Sequence, residues 1–265
     1  MLRGLLDRLN FVGVYLTYIG GLWLLKLLPR RVVVRCSECL ADLGYYLFHG
    51  FRKRSEKNLN LALGSCLGKK DAAEVVRNSL RNFARDVVEI GYAISLSPGE
   101  LQGEIPVVGK EHLDAALAKG RGVILLSAHL GNFFLVGTRL ALEGYPTYVL
   151  VNPPRNKQLG DFLVQIRDRV GQRTIHTQPR QKAFRELLQV LRHNELAVVI
   201  ADEYRTGRGI FVPFFGRTVL ARRGPATLAL RTQAALLPVH LIRESNGHLR
   251  LILEPEINPP RSGNF

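Results

Sequence analysis

The chain has 265 residues, 46% of them hydrophobic, with 37 Lys and Arg against 22 Asp and Glu for a net charge of +15. That length and apolar share exclude a disordered chain or a miniature disulfide-held protein and allow one large core. The positive excess points to polyanionic partners (nucleic acid, anionic lipid headgroups or an acidic carrier protein) without choosing among them.

Phe11 to Leu25 carries no charge; Arg3 and Arg8 precede it, and Lys26, Arg30 and Arg31 follow. Its fifteen residues fall short of the roughly 20 that span a bilayer comfortably. Gly20-Gly21-Leu22-Trp23 runs on into leucines with no small-x-small cleavage site, which argues against a signal peptide. The stretch reads as a retained, shallow membrane anchor, with a buried hairpin helix as the plain alternative. Cys36 and Cys39 stand at C-x2-C spacing, but no second pair follows Cys66, and the nearest His49 lies in a hydrophobic segment. Small buried cysteines in a reducing compartment are therefore expected rather than a metal site.

From Ala73 the apolar positions Val76, Leu80, Phe83, Val87, Ile90 and Ile94 recur at steps of three and four, one helix face. Arg77, Arg81 and Arg85 form a basic ridge on that helix, either a solvated face or a rest for anionic headgroups. Ser97-Pro98-Gly99 ends this helical section, expected over residues 1–100.

Beyond Leu101 short apolar runs alternate with helical segments. Strands are expected over Gly122–Ser127, Thr147–Val151, Leu196–Ala201, Ala235–Ile242 and His248–Leu253. Helices are expected over Asn132–Leu142, Gln158–Val170, around Phe184–Leu191 and over Gly224–Thr232. The alternation predicts an α/β core over residues 101–265, a mixed, largely parallel sheet covered by helices.

Reactive groups of open α/β sheets gather at the carboxyl ends of strands. Ser127-Ala128-His129-Leu130-Gly131-Asn132 lies at such an end. His129 is placed there as a general base, although a structural histidine fits the position as well. Gly131 lets a ligand approach the backbone, and N–H groups near Gly131 and Asn132 could hold an oxyanion or phosphate. Asp202 falls at the next strand end, followed by Gly207, Gly209 and Val212-Pro213-Phe214-Phe215-Gly216. An acid beside an apolar loop suits a greasy substrate with a polar reacting end, and a packed turn is the alternative. Arg167 and Arg169 offer guanidinium groups for phosphate oxygens, or make an ordinary charged helix end.

Taken in order, the blocks from Gly122 to Phe133, Arg167 to Gly171, Asp202, Val212 to Gly216, Gly224-Pro225-Ala226 and Leu237-Pro238-Val239 resemble the lysophospholipid acyltransferase superfamily. The branch is that of the bacterial lipid A late acyltransferases and phosphatidylinositol mannoside acyltransferases. The resemblance runs from about Pro106 to Glu256, and more loosely through the N-terminal helices. It implies transfer of a fatty acyl group from acyl carrier protein or acyl-CoA to a glycolipid hydroxyl of the lipid A precursor type. The reaction would take place at the cytoplasmic face of the inner membrane, without metal or cofactor. It also implies His129 as base, Arg167 or Arg169 on phosphate, and Gly131, Asn132, Phe134, Asp202, Phe214 and Phe215 near the substrate. Phe133, Phe134, Phe214 and Phe215 are expected to wall an acyl pocket.

Two departures stand out. The family places Glu or Asp five positions after the histidine, where this chain has Phe134. The orienting acid is thus missing from its usual place, with Asp202 a carboxylate that could approach in space; a catalytically silent lipid binder is the alternative reading. The chain also stops at Phe265, before the basic, Trp-rich tail many relatives carry, which leaves a shortened C-terminus open. Arg and Lys are spread widely and most aromatics sit in apolar runs, so no nucleic-acid partner is expected.

Overall fold

The sheet is built around a strand with no polar side chain until its last residue. In the computed structural model, which describes residues 2–64, 68–203 and 209–258, that strand is β2 (Val123–Ser127). Val123, Ile124 and Leu125 are wholly buried, as a strand covered on both faces requires. Its neighbours are β5 (Leu196–Ile200) and β8 (Ala235–Arg243), both parallel to it. Outward on one side lie β3 (Thr147–Val151) and β4 (Gln172–His176), also parallel. On the other side β9 (Leu249–Leu253) runs antiparallel to β8, and β1 (Val107–Val108) runs parallel to β9. The seven-stranded order is β1-β9-β8-β2-β5-β3-β4. The expected mixed, largely parallel α/β sheet is what forms.

Helices cover both faces. α9 (Arg180–Arg192) and α10 (Gly224–Thr232) pack Leu187, Leu191 and Leu228 against Ile124, Ala197 and Val199. α7 (Phe134–Leu142) lies close on the opposite face, where a Cβ at Gly137 would meet Val149 at 3.0 Å. The chain also forms elements that its apolar pattern did not announce: β1, β4, the helix α6 (Lys110–Leu117) and the hairpin β6–β7 (Gly209–Phe214, Arg217–Arg222). β4 reads Gln-Arg-Thr-Ile-His because it is an edge strand, which needs few apolar residues. The hairpin turns on Phe215 and Gly216, both at positive φ (48° and 69°). That is the two-residue turn whose twist matches paired strands, so the Val-Pro-Phe-Phe-Gly block is a hairpin end rather than a loop.

Cα packing divides the chain into two compact units, one of Met1–Phe11, Leu96–Ile210 and Leu220–Phe265, the other of Val12–Ser95 and Phe211–Val219. The helices before the sheet are α1 (Leu2–Leu27), α2 (Arg30–Leu47), α3 (His49–Leu63), α4 (Lys69–Ser95) and the short α5 (Pro98–Glu104), of which α2, α3 and α4 lie in the second unit. Among the described residues one helical stretch, the 20 residues Arg8–Leu27, is long and apolar enough to cross a membrane by length and composition.

The basic ridge of α4 is not a free face. Arg77 and Arg81 each place two guanidinium nitrogens on Asp42 of α2 at 2.6–2.7 Å, and Arg85 pairs with Glu38. These two-point bonds hold the Asp42 carboxyl well below the ordinary carboxylate range. With α2 turning Glu38 and Asp42 toward α4, Cys36 and Cys39 fall on its outer side and are exposed. The expectation of buried cysteines is corrected for these two; Cys66 lies outside the described residues. A depressed carboxyl contributes stability above its unfolded value and loses it as pH falls through the folded one. Asp42→Asn should therefore lower the melting temperature by a similar amount at every pH above about 5, where an unfolded Asp is ionised. The gap should shrink in stronger acid, as thermal melts of both proteins at several pH values will check.

Candidate active site

The sheet register assembles the site. Ser127, the last residue of β2, is the partner of Ile200, the last residue of β5, and Ala201 N–H extends the ladder to Ser127 O at 3.1 Å. Two residues further on, His129 and Asp202 stand side by side at the carboxyl edge. His129 Nδ1 lies 2.8 Å from Asp202 Oδ1, and the His129 backbone N–H donates to Oδ2 at 3.0 Å. Both carboxylate oxygens are thus held by one residue. Partial burial pushes the Asp202 carboxyl upward, but the hydrogen bonds from the His129 ring and backbone outweigh it and leave it below its ordinary value. An ionised carboxylate only accepts, so Nδ1 carries the proton and the lone pair of a neutral ring sits on Nε2. The side chains are 42% and 39% exposed, open to a substrate. The Phe133 ring meets the imidazole edge-on at 4.7 Å between centroids.

Gly131 makes the turn possible. It sits at φ 58° and bridges Leu241 of β8, where a Cβ would lie 2.1 Å from Leu241 O. No other residue fits there. The next N–H, that of Asn132, donates to Leu241 O at 3.1 Å, and Asn132 is buried. Of the backbone donors expected to hold an oxyanion, Asn132 N–H is thus committed to the fold, and Gly131 N–H is the one left.

Phe134 opens α7 and faces another way. The Arg167 guanidinium lies over its ring, 5.5 Å from the centroid, and its carbonyl accepts from Gln172 Nε2 at 2.7 Å. Arg167 belongs to α8 (Lys157–Arg169); its Nη1 donates to Leu163 O at 3.3 Å, and burial pushes its pKa down. α8 leads from the carboxyl end of β3 to the amino end of β4, so Arg169, at its last residue, belongs to the sheet edge opposite His129. Arg167 reaches back along its helix instead. Phe214 and Phe215 form an exposed edge-to-face pair at 4.7 Å on the β6–β7 hairpin, within the unit that holds α2, α3 and α4. Gly207 lies outside the described residues, and Gly209 begins β6.

A histidine paired with a carboxylate at the carboxyl edge of this sheet, behind a glycine turn, has the chemistry of a base for a hydroxyl. The chain belongs to the bacterial lipid A biosynthesis acyltransferase family, whose pattern matches residues 6–263. It is 30% identical to a phosphatidylinositol mannoside acyltransferase of Mycolicibacterium smegmatis, over 82% of this chain and 73% of that protein. A lipid A biosynthesis acyltransferase of Haemophilus influenzae is 27% identical, over 90% of this chain and 76% of its own. The lipid A biosynthesis lauroyltransferase of Escherichia coli is 24% identical, over 91% and 78%.

Proposed function

We propose that this protein moves a fatty acyl group from a thioester donor, acyl carrier protein or acyl-CoA, to a hydroxyl of an anionic glycolipid of the lipid A precursor type at the cytoplasmic face of the inner membrane. The observation that carries this reading is the 2.8 Å contact of His129 Nδ1 with Asp202. It gives the histidine an orienting acid even though position 134 holds Phe. His129 Nε2 takes the proton of the acceptor hydroxyl as its oxygen attacks the thioester carbonyl. The negative charge that gathers on the carbonyl oxygen meets the Gly131 N–H. Collapse breaks the C–S bond, and the imidazolium returns its proton to the departing thiolate. Asp202 stabilises the imidazolium meanwhile. Arg167 is the cation for an acceptor phosphate, and Phe133, edge-on to the His129 ring, offers apolar wall to the acyl chain. The net charge of +15 draws both an acidic carrier and anionic lipid, and α1 holds the protein at the membrane.

The test is mass spectrometry of glycolipids in cells lacking the protein and in cells complemented with it, followed by transfer with the purified chain. One acyl chain should be lost on deletion and restored on complementation. Unchanged lipids, together with no transfer from either donor, would favour the silent lipid binder.

A further inference from the structure

α2 is inverted in polarity. Its buried residues are Glu38 and Tyr45, which share a side with Asp42; Glu38 and Asp42 pair with the arginines of α4 and Tyr45 meets Arg52 and Glu56 of α3. At about 100° per residue, Leu40, Leu43 and Leu47 fall on the opposite side, and they are 68%, 53% and 63% exposed. A helix in water hides its leucines and shows its charges. A helix against lipid does the reverse, because acyl chains accept leucine and penalise a carboxylate without a partner.

The exposed stripe runs into the α2–α3 junction, where Phe48 and Phe51 are exposed, and across to Phe83 of α4. These residues and Leu80 line an open groove of about 740 Å³. Arg54 of α3 borders it, and Lys53 and Lys57 lie nearby in sequence on the same helix, all three exposed. Apolar side chains rimmed by cations match the layering of a bilayer surface, acyl chains beneath anionic headgroups.

We propose that the α2–α3 elbow and its groove against α4 are a second membrane-docking surface, whose partner is a bilayer containing anionic lipid. Leu40, Leu47, Phe48, Phe51 and Phe83 enter the acyl layer while Lys53, Arg54 and Lys57 meet headgroup phosphates. α2 lies along the interface rather than across it, since its 18 residues include Arg30, Arg31, Arg35, Glu38 and Asp42. A second copy of the chain fits less well, because a two-fold contact would bring the same cations face to face. This surface uses no residue of the acyl-transfer site, so either reading can fail without the other.

The chain has a single tryptophan, Trp23, which makes a clean test possible. In the full-length Trp23→Phe protein, Phe48→Trp and, separately, Phe83→Trp each supply one fluorescent probe. With vesicles of brominated phosphatidylcholine and phosphatidylglycerol, both probes should shift to the blue and be quenched. Changing Lys53, Arg54 and Lys57 to Gln should raise the lipid concentration for half-maximal quenching by roughly fivefold per charge removed. Probes that stay unquenched at both positions, while Trp23 of the native protein is quenched, overturn the proposal. So does quenching by a brominated fatty acid in solution but not by vesicles, which would make the groove a single-chain site. A lipid-independent blue shift that grows with protein concentration would assign the face to self-association and overturn it equally.

Discussion

His129→Ala should lower kcat/KM for acyl transfer by about 10²–10⁴-fold, the usual contribution of a positioned general base. The loss should fall on kcat, since Nε2 acts on the acceptor proton only as the oxygen attacks. The side chain is 42% exposed, and exposed substitutions of this kind change stability by no more than about 0.5 kcal/mol. A melting curve that overlays the native one therefore certifies the comparison. Transfer at the native rate by a folded His129→Ala protein would show that another group takes the proton.

Asp202→Asn should cost up to about 10⁴-fold in kcat, the scale seen when the orienting acid of a serine-protease triad becomes an amide. The geometry explains why an isosteric change is so damaging. His129 presents two donors to Asp202, the ring Nδ1–H and the backbone N–H, and a carboxylate accepts both. An amide has one oxygen and one NH₂. If its oxygen serves the backbone, its NH₂ faces Nδ1 and drives the ring proton to Nε2, which removes the base. The charge that stabilises the imidazolium is lost as well. Adding the family acid by Phe134→Glu should not repair this, because the Phe134 side chain points under the Arg167 guanidinium and a carboxylate there would pair with that arginine. Steady-state rates of Asp202→Asn and of Asp202→Asn with Phe134→Glu should agree within a few-fold. The two acids act on one histidine or not at all, so recovery beyond about tenfold, some 1.4 kcal/mol of transition-state stabilisation, would mean that position 134 reaches His129 after all. Joining Asp202→Asn to His129→Ala should add little to the loss from His129→Ala alone, since residues acting as a unit are not additive.

Much of this was legible in the residues themselves. The apolar runs at β2 and β5 read as strands because each is buried on both faces and so has almost no polar positions to blur it. The placement of His129 and Asp202 just past two strand ends followed from the same runs, and the family from the order of its blocks. What the linear pattern hides is anything decided by a partner element. β4 lacks the apolar signature because an edge strand is solvated on at least one side, and Pro213 within Ile-Phe-Val-Pro-Phe hides the strand β6. The α4 arginines look like a free cationic face until α2 brings Asp42 and Glu38 against them, and Cys36 and Cys39 look like core until the same packing turns them outward.

The sequence by itself determined the central strands, the family and the absence of an acid five positions beyond His129. Only the tertiary structure decided which acid stands beside that histidine. Spacing along a chain reports neighbours on one helix or strand, whereas Asp202 reaches His129 across 73 positions through the register of β2 against β5. That register is a property of the assembled sheet: a slip of one residue would turn the two side chains to opposite faces and dissolve the pair.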